Sequence, residues 1–133
     1  MAGETNLAEL VKGMTPKLHT GAYVFSTLKD VSKINRNDTL CEFKEKEGTT
    51  IVIEKEKADL LNLRYEYVAS WITLMVHSPL DAVGLTAIFS TELAKHNISC
   101  NVIAGYYHDH IFVDKKDADH ALKILIKLAE NKD

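Results

Sequence analysis

Chemistry-bearing side chains crowd one stretch of the chain, residues 99–110, which reads Ser-Cys-Asn-Val-Ile-Ala-Gly-Tyr-Tyr-His-Asp-His. His108 and His110 lie two apart, so on a strand they share one face, and two imidazoles so placed can ligate a metal. Zinc needs three or four ligands, and His77, His96 and His120 add no tight spacing. A parallel pairing of the first and third strands of this half would also put His77 at the far end from His108. The reading is therefore no metal and no cofactor, with the histidines on a half-solvated face or an interface between copies. Asp109 falls on the opposite face near a turn, where it can accept from backbone amides. Cys100, between Ser99 and Asn101, is read as a buried inert thiol rather than a nucleophile.

A second group is Ser78, Asp81 and Gly84, just ahead of an apolar helical pattern. Ser or Asp there can cap a helix by accepting from its first N–H groups. The same freed amides can hold a carboxylate, and Gly84 permits close backbone approach. Both readings stay open. Asn101 offers a donor and an acceptor, and a bulge or an edge position explains it equally well. Tyr106 and Tyr107 raise base stacking on RNA. The rings fall at a turn, however, and no Lys/Arg-Gly-Phe pattern surrounds them. No phosphate-binding glycine loop, zinc-protease motif or nucleophile elbow is present.

The elements that must position these groups follow from periodicity and breakers. Leu7, Leu10 and Val11 give a short helix over 5–11, with Asn6 as cap and Gly13 as stop. Pro16 favours an extended or turning backbone. Residues 21–28 read as a strand, 30–38 as a loop, and 39–44 with 49–54 as a hairpin turning at Glu47-Gly48. Residues 55–62 read as a short helix and 65–77 as a long strand. The Ser78-Pro79 pair ends that strand. A helix over 80–97 carries Leu85, Phe89 and Leu93 at i, i+4, i+8. A strand over 98–104, a turn at 105–107, a strand over 108–113 and an amphipathic helix over 117–132 complete the chain. The second half is thus βαββα and lacks a final strand; residues 21–28 are expected to fill the gap, so that the halves interlock.

The chain has 133 residues, 46% hydrophobic and 26% charged, with a net charge of −3. That composition suits an ordinary globular protein, and the acidic balance argues against nucleic acid. Its two cysteines share no metal spacing and are expected to be free thiols in a reducing compartment. The start of the chain does not read as a signal peptide, and no run approaches a membrane span. A cytoplasmic protein with no membrane contact is expected.

The segment "HSPLDAVGLTAIFSTELAKHNISCNVIAGYYHDHIFV" resembles an ACT domain, a module that senses small ligands in amino-acid metabolism. Pro79 and Gly84 occupy the loop that opens its helix, and Ile98 to Ile103 its second strand. The whole chain is similar to small stand-alone bacterial proteins with two ACT-like halves, and to the paired regulatory modules of aspartate kinase. The resemblance implies an α+β, ferredoxin-like βαββαβ fold, with two interlocked halves, antiparallel sheets and helices on one face. The halves are placed at 1–66, degenerate, and 67–133. It further implies a non-catalytic sensor of an amino-acid-like ligand, held by Ser78, Asp81, Val83, Gly84 and Leu85 of the loop and Asn101, Val102 and Ile103 of the second strand. Trp71, Thr73, Met75 and His77 would point to one uncovered side of the sheet, so a homodimer or larger homo-oligomer is expected. Two other classes remain: an interaction module with a vestigial ligand site, and a small metal-dependent enzyme using His108 and His110.

Overall fold

The structure, a computed structural model, describes residues 7–76 and 80–130. The chain forms two compact units, one from Thr20 to Ser70 and one from the segments up to His19 and from Trp71 onward.

The unit that carries residues 71–130 opens with α1 (Leu7–Lys12) and β1 (Thr15–Leu18). It continues with the greater part of β5 (Val68–Met75), then α3 (Leu85–Lys95), β6 (Asn101–Ala104), β7 (Asp109–Asp114) and α4 (Ala118–Glu130). β1 lies on one side of β5; β7 and then β6 lie on the other. Trp71 meets the Phe112 ring at 6.4 Å while Thr73 bonds His110, so β5 and β7 run antiparallel, as the expected fold has it and unlike the parallel pairing considered for the histidines. One sheet face buries Ile72, Leu74, Val76, Ile111 and Val113. Onto it pack Leu10 and Val11 of α1, Leu85, Phe89 and Leu93 of α3, and Ala121, Ile124 and Leu125 of α4. The i, i+4, i+8 spacing of α3 is thus the stripe that seals this core.

The strand beside Ile72–Met75 is supplied by Thr15–Leu18, while residues 21–28, expected to fill this place, meet only the start of β5. Thr15 to Leu18 pair antiparallel with Met75 to Ile72. Pro16 has no N–H to give a ladder, and β1 accordingly meets a strand on one side only. Residues 21–28 pair along one edge with Thr49–Glu54 and on the other meet only the start of β5, with Tyr23 opposite Ala69 and Val24 opposite Val68.

The other unit contains β2 (Tyr23–Leu28), β3 (Thr39–Lys44), β4 (Thr49–Glu54), α2 (Lys55–Leu60) and the first residues of β5. Its order is β3-β4-β2-β5, with Tyr23 opposite Ala69. Val24, Ile51, Ile53 and Ala58 form its core. Where the other unit has a long helix after its first strand, this one has a loop and a single 3-10 turn, Arg36–Asp38. The local chemistry explains it. Asp30 accepts from the Ser32 amide at 2.9 Å and Asn35 from the Asn37 amide at 3.0 Å, so side chains take the amides a helix would use.

The second-half helix starts later than the pattern suggested. Gly84, at φ 92, is its N-cap in the left-handed region, which breaks the helix ahead of Leu85. At the far end Asn97 is left-handed and the Ile98 amide returns to the Leu93 carbonyl at 3.1 Å. Ile98 therefore closes the helix instead of opening the strand. The sheet face away from the helices is less bare than expected: Thr73 and Phe112 are buried, while Met75 is 41% exposed. His77 lies outside the described residues.

Candidate functional site

The turn joining β6 to β7 is closed by a hydrogen bond at one glycine. The Gly105 amide donates to the His108 carbonyl at 2.9 Å. A Cβ built on Gly105 would stand 2.8 Å from that oxygen and 3.2 Å from His110 Nε2, so no side chain fits there. Because His108 belongs to this turn, and the strand begins at Asp109, the period-two expectation does not govern it. His108 and His110 part company.

His108 and Asp109 line a pocket of about 180 Å³, together with Ala104, Gly105 and Tyr107 of the hairpin and Leu80, Ala82, Leu85 and Thr86 from the other wall. Among the described residues, His108 Nδ1 is the buried side-chain polar atom left without a hydrogen-bond partner. Burial pushes the Asp109 carboxyl above the usual carboxylate range, against the pull of His110 and His108. The helix α3 begins at this wall with Gly84 as an N-cap that makes no side-chain cap bond, and the first N–H groups of a helix have no partner within it.

His110 faces elsewhere. Trp71 Nε1 donates to His110 Nδ1 at 3.1 Å, and Thr73 Oγ1 lies 3.0 Å from the same nitrogen. Thr73 Oγ1 is also 2.7 Å from His19 Nε2. The His19 ring stacks on the Trp71 indole at 3.5 Å. Burial first, then His108, holds His110 below the ordinary histidine range, with Asp109 opposing. Burial, then Lys17 and His110, does the same for His19. No group of three or more His, Cys, Asp or Glu among the described residues is arranged to hold a metal.

The residues expected to bind a ligand scatter. Leu85 lines the pocket and is also core. Gly84 caps α3, with Leu7 Cδ1 only 3.1 Å from the position of a Cβ. Asp81 is an exposed turn residue, and Val83 is 85% exposed. Asn101, Val102 and Ile103 lie on the edge strand opposite Phe112, Ile111 and His110 and do not line the pocket. Asn101 Nδ2 donates to the Phe112 carbonyl at 3.4 Å, an edge-strand role. Ser78 lies outside the described residues. Of the pocket residues, the sequence reading did not name Leu80, Ala82, Thr86, Ala104 and Gly105 as ligand contacts, and it gave Tyr107, His108 and Asp109 other roles. Their signal was the His-Asp-His itself, assigned to a strand face when one of its members belongs to the turn.

Neither cysteine is poised for chemistry. Both are free; burial pushes the Cys100 thiol up to about 11, and burial with Glu42 raises Cys41. In the other unit a wider, open depression of about 490 Å³ lies among Phe25, Thr27, Thr50, Arg64 and Tyr67. It holds no unpaired buried side-chain polar atom among the described residues.

A protein of unknown function from Vibrio cholerae, described as a possible transport protein, is 48% identical; the match covers 94% of this chain and 97% of that one, with a TM-score of 0.84. The aspartokinase alpha and beta subunits match at 11% identity, covering 89% and 99%, with a TM-score of 0.61. The ligand-free regulatory subunit of aspartate kinase from Thermus thermophilus matches at 7% identity, covering 87% and 98%, with a TM-score of 0.58. These last two speak for the fold. No curated protein matches. Two family profiles, each described as an ACT domain, match residues 2–70 and 66–127. With both halves so matched on a ferredoxin-like tandem fold, the chain belongs to the ACT-domain family.

Proposed function

We propose that this protein is a non-catalytic regulatory protein that binds a small amino-acid-like ligand in the pocket walled by Leu80–Thr86 and Ala104–Asp109. The observation that carries the reading is the set of unmet needs in that pocket. The uncapped start of α3 offers N–H groups to a carboxylate. Asp109 is a carboxylate disfavoured by desolvation, which an ammonium would relieve. His108 Nδ1 is buried and unpaired, and such an atom gains from a hydrogen-bonding guest. A zwitterion meets all three. Asp109 thus stands where the resemblance had placed Asp81 among the ligand-holding residues. Membership of the ACT family supports the regulatory role.

A thermal-shift screen of the twenty common amino acids tests this. A ligand at 100 times its Kd stabilises by about 2.7 kcal/mol, several degrees in melting temperature for a chain of this size. No shift with any of them would leave an interaction module without a working site. Self-association is part of the proposal: Tyr106 and Tyr107 are 78% and 66% exposed beside the pocket, and the edge strand β6 leaves Val102 39% exposed. Light scattering after size exclusion that finds only monomer at micromolar concentration counts against it.

A further inference from the structure

We propose that the proton on His110 controls the Gly105 wall of the pocket, so that ligand affinity and His110 protonation are coupled. The ligand half of this rests on the binding role proposed above; the coupling of His110 to Gly105 does not.

The geometry gives the ring no slack. One edge of His110 lies against Gly105: a Cβ there would be 3.2 Å from Nε2 and 3.3 Å from Cδ2. Gly105 is itself a wall of the pocket. The other edge, at Nδ1, meets Trp71 Nε1 at 3.1 Å and Thr73 Oγ1 at 3.0 Å. An indole N–H can only donate. Nδ1 is therefore the acceptor, and the neutral ring carries its proton on Nε2, beside Gly105. A second proton has to go to Nδ1. Thr73 Oγ1 could accept it, but the Trp71 N–H would then lose its acceptor and face a cationic ring, a donor-against-donor conflict that a turn or slide of the ring relieves. Gly105 is the backbone on its other side.

The titratable and charged groups around His110 come from two elements. His108 and Asp109 are on its own hairpin, and His19, with Lys17 beside it, follows from β1. β5 presents Trp71 and Thr73, and β6 presents Ile103 opposite in the ladder; none of these titrates near neutrality. Asp109 favours the proton, His108 opposes it, and burial opposes it most. The ring therefore takes up its proton at a lower pH than an ordinary histidine. Linkage then requires reciprocity: if the proton weakens binding, binding must lower the His110 pKa.

The test is a pH titration of the full-length protein by NMR with no amino acid added. The His110 ring, the Trp71 indole N–H and the Gly105 amide should report one shared midpoint. In His110→Gln the Gly105 shift should vanish. In Trp71→Phe, which keeps a ring but removes the N–H, the His110 midpoint should rise and Gly105 should follow it. A Gly105 amide that ignores the His110 midpoint overturns the coupling. The amino-acid screen, repeated above and below that midpoint, tests the other half. Affinity that falls several-fold on the acid side is expected. Affinity unchanged across the midpoint overturns the coupling while leaving the binding role in place. No binding at either pH removes the binding role and the ligand half together, and the Gly105 titration alone then decides the rest.

Discussion

The imidazole of His19 lies flat on the indole of Trp71, with centroids 3.5 Å apart and planes within 10°. The two residues are far apart in the chain, and the contact exists because β1 pairs with β5. The His19 amide donates to the Trp71 carbonyl at 2.9 Å, extending that ladder by one rung. His19→Ala removes the stack and the bond to Thr73 Oγ1. An aromatic pair adds about 0.5–1.5 kcal/mol and a hydrogen bond about 1 kcal/mol. A loss of about 1–2 kcal/mol in denaturant unfolding is expected, with a red shift in emission from the single tryptophan.

Stability should fall on mild acidification. His19 and His110 are both held below their ordinary values in the native state. As pH drops below about 6.5 the unfolded chain takes up protons that the native chain refuses. The unfolded state then binds more protons, so stability declines with falling pH until the native values are passed. Asp109, raised by burial, acts in the opposite sense at lower pH, because there the native state binds its proton first. Melting temperature measured between pH 7.5 and 5 should decline, and His110→Gln should flatten the decline.

Gly84→Ala should destabilise without touching the chemistry of any side chain. Gly84 is at φ 92, and a Cβ there would come within 3.1 Å of Leu7 Cδ1. Left-handed backbone costs an L-residue about 1–2 kcal/mol. Chemical denaturation should show at least that loss, and a stability equal to the parent would contradict the capping geometry.

Deleting residues 1–18 should unfold the half that begins at Trp71. It removes β1, its ladder to Met75–Ile72, and the α1 residues Leu10 and Val11 from the core. An exposed β5 edge and an opened core are expected to yield aggregation or lost protection. Amide exchange of the 19–133 fragment checks this. Protected β5 and β7 amides in a soluble fragment would show that the chain start is dispensable.

Much of the architecture was legible because periodicity and local breakers act over a few residues. The hairpin 39–54 appeared with its strand bounds intact, since Gly48 sits between two β-rich runs. The stripes of α3 and α4 were visible because each must bury one face. The matched ACT pattern over the second half carried the fold further than periodicity could.

What the sequence by itself determined was therefore the βαββα order, the core-facing positions and the free thiols. What only the tertiary structure decided was pairing and proximity. Thr15–Leu18 takes the edge beside Ile72–Met75 while residues 21–28 reach only Val68 and Ala69, a division of one strand's edge that depends on pairing between distant segments. His108 joins Thr86 in a pocket while His110 turns to Trp71, because a glycine turn shifts one histidine off the strand register. Both outcomes rest on contacts between residues distant in the chain, and no local propensity encodes them.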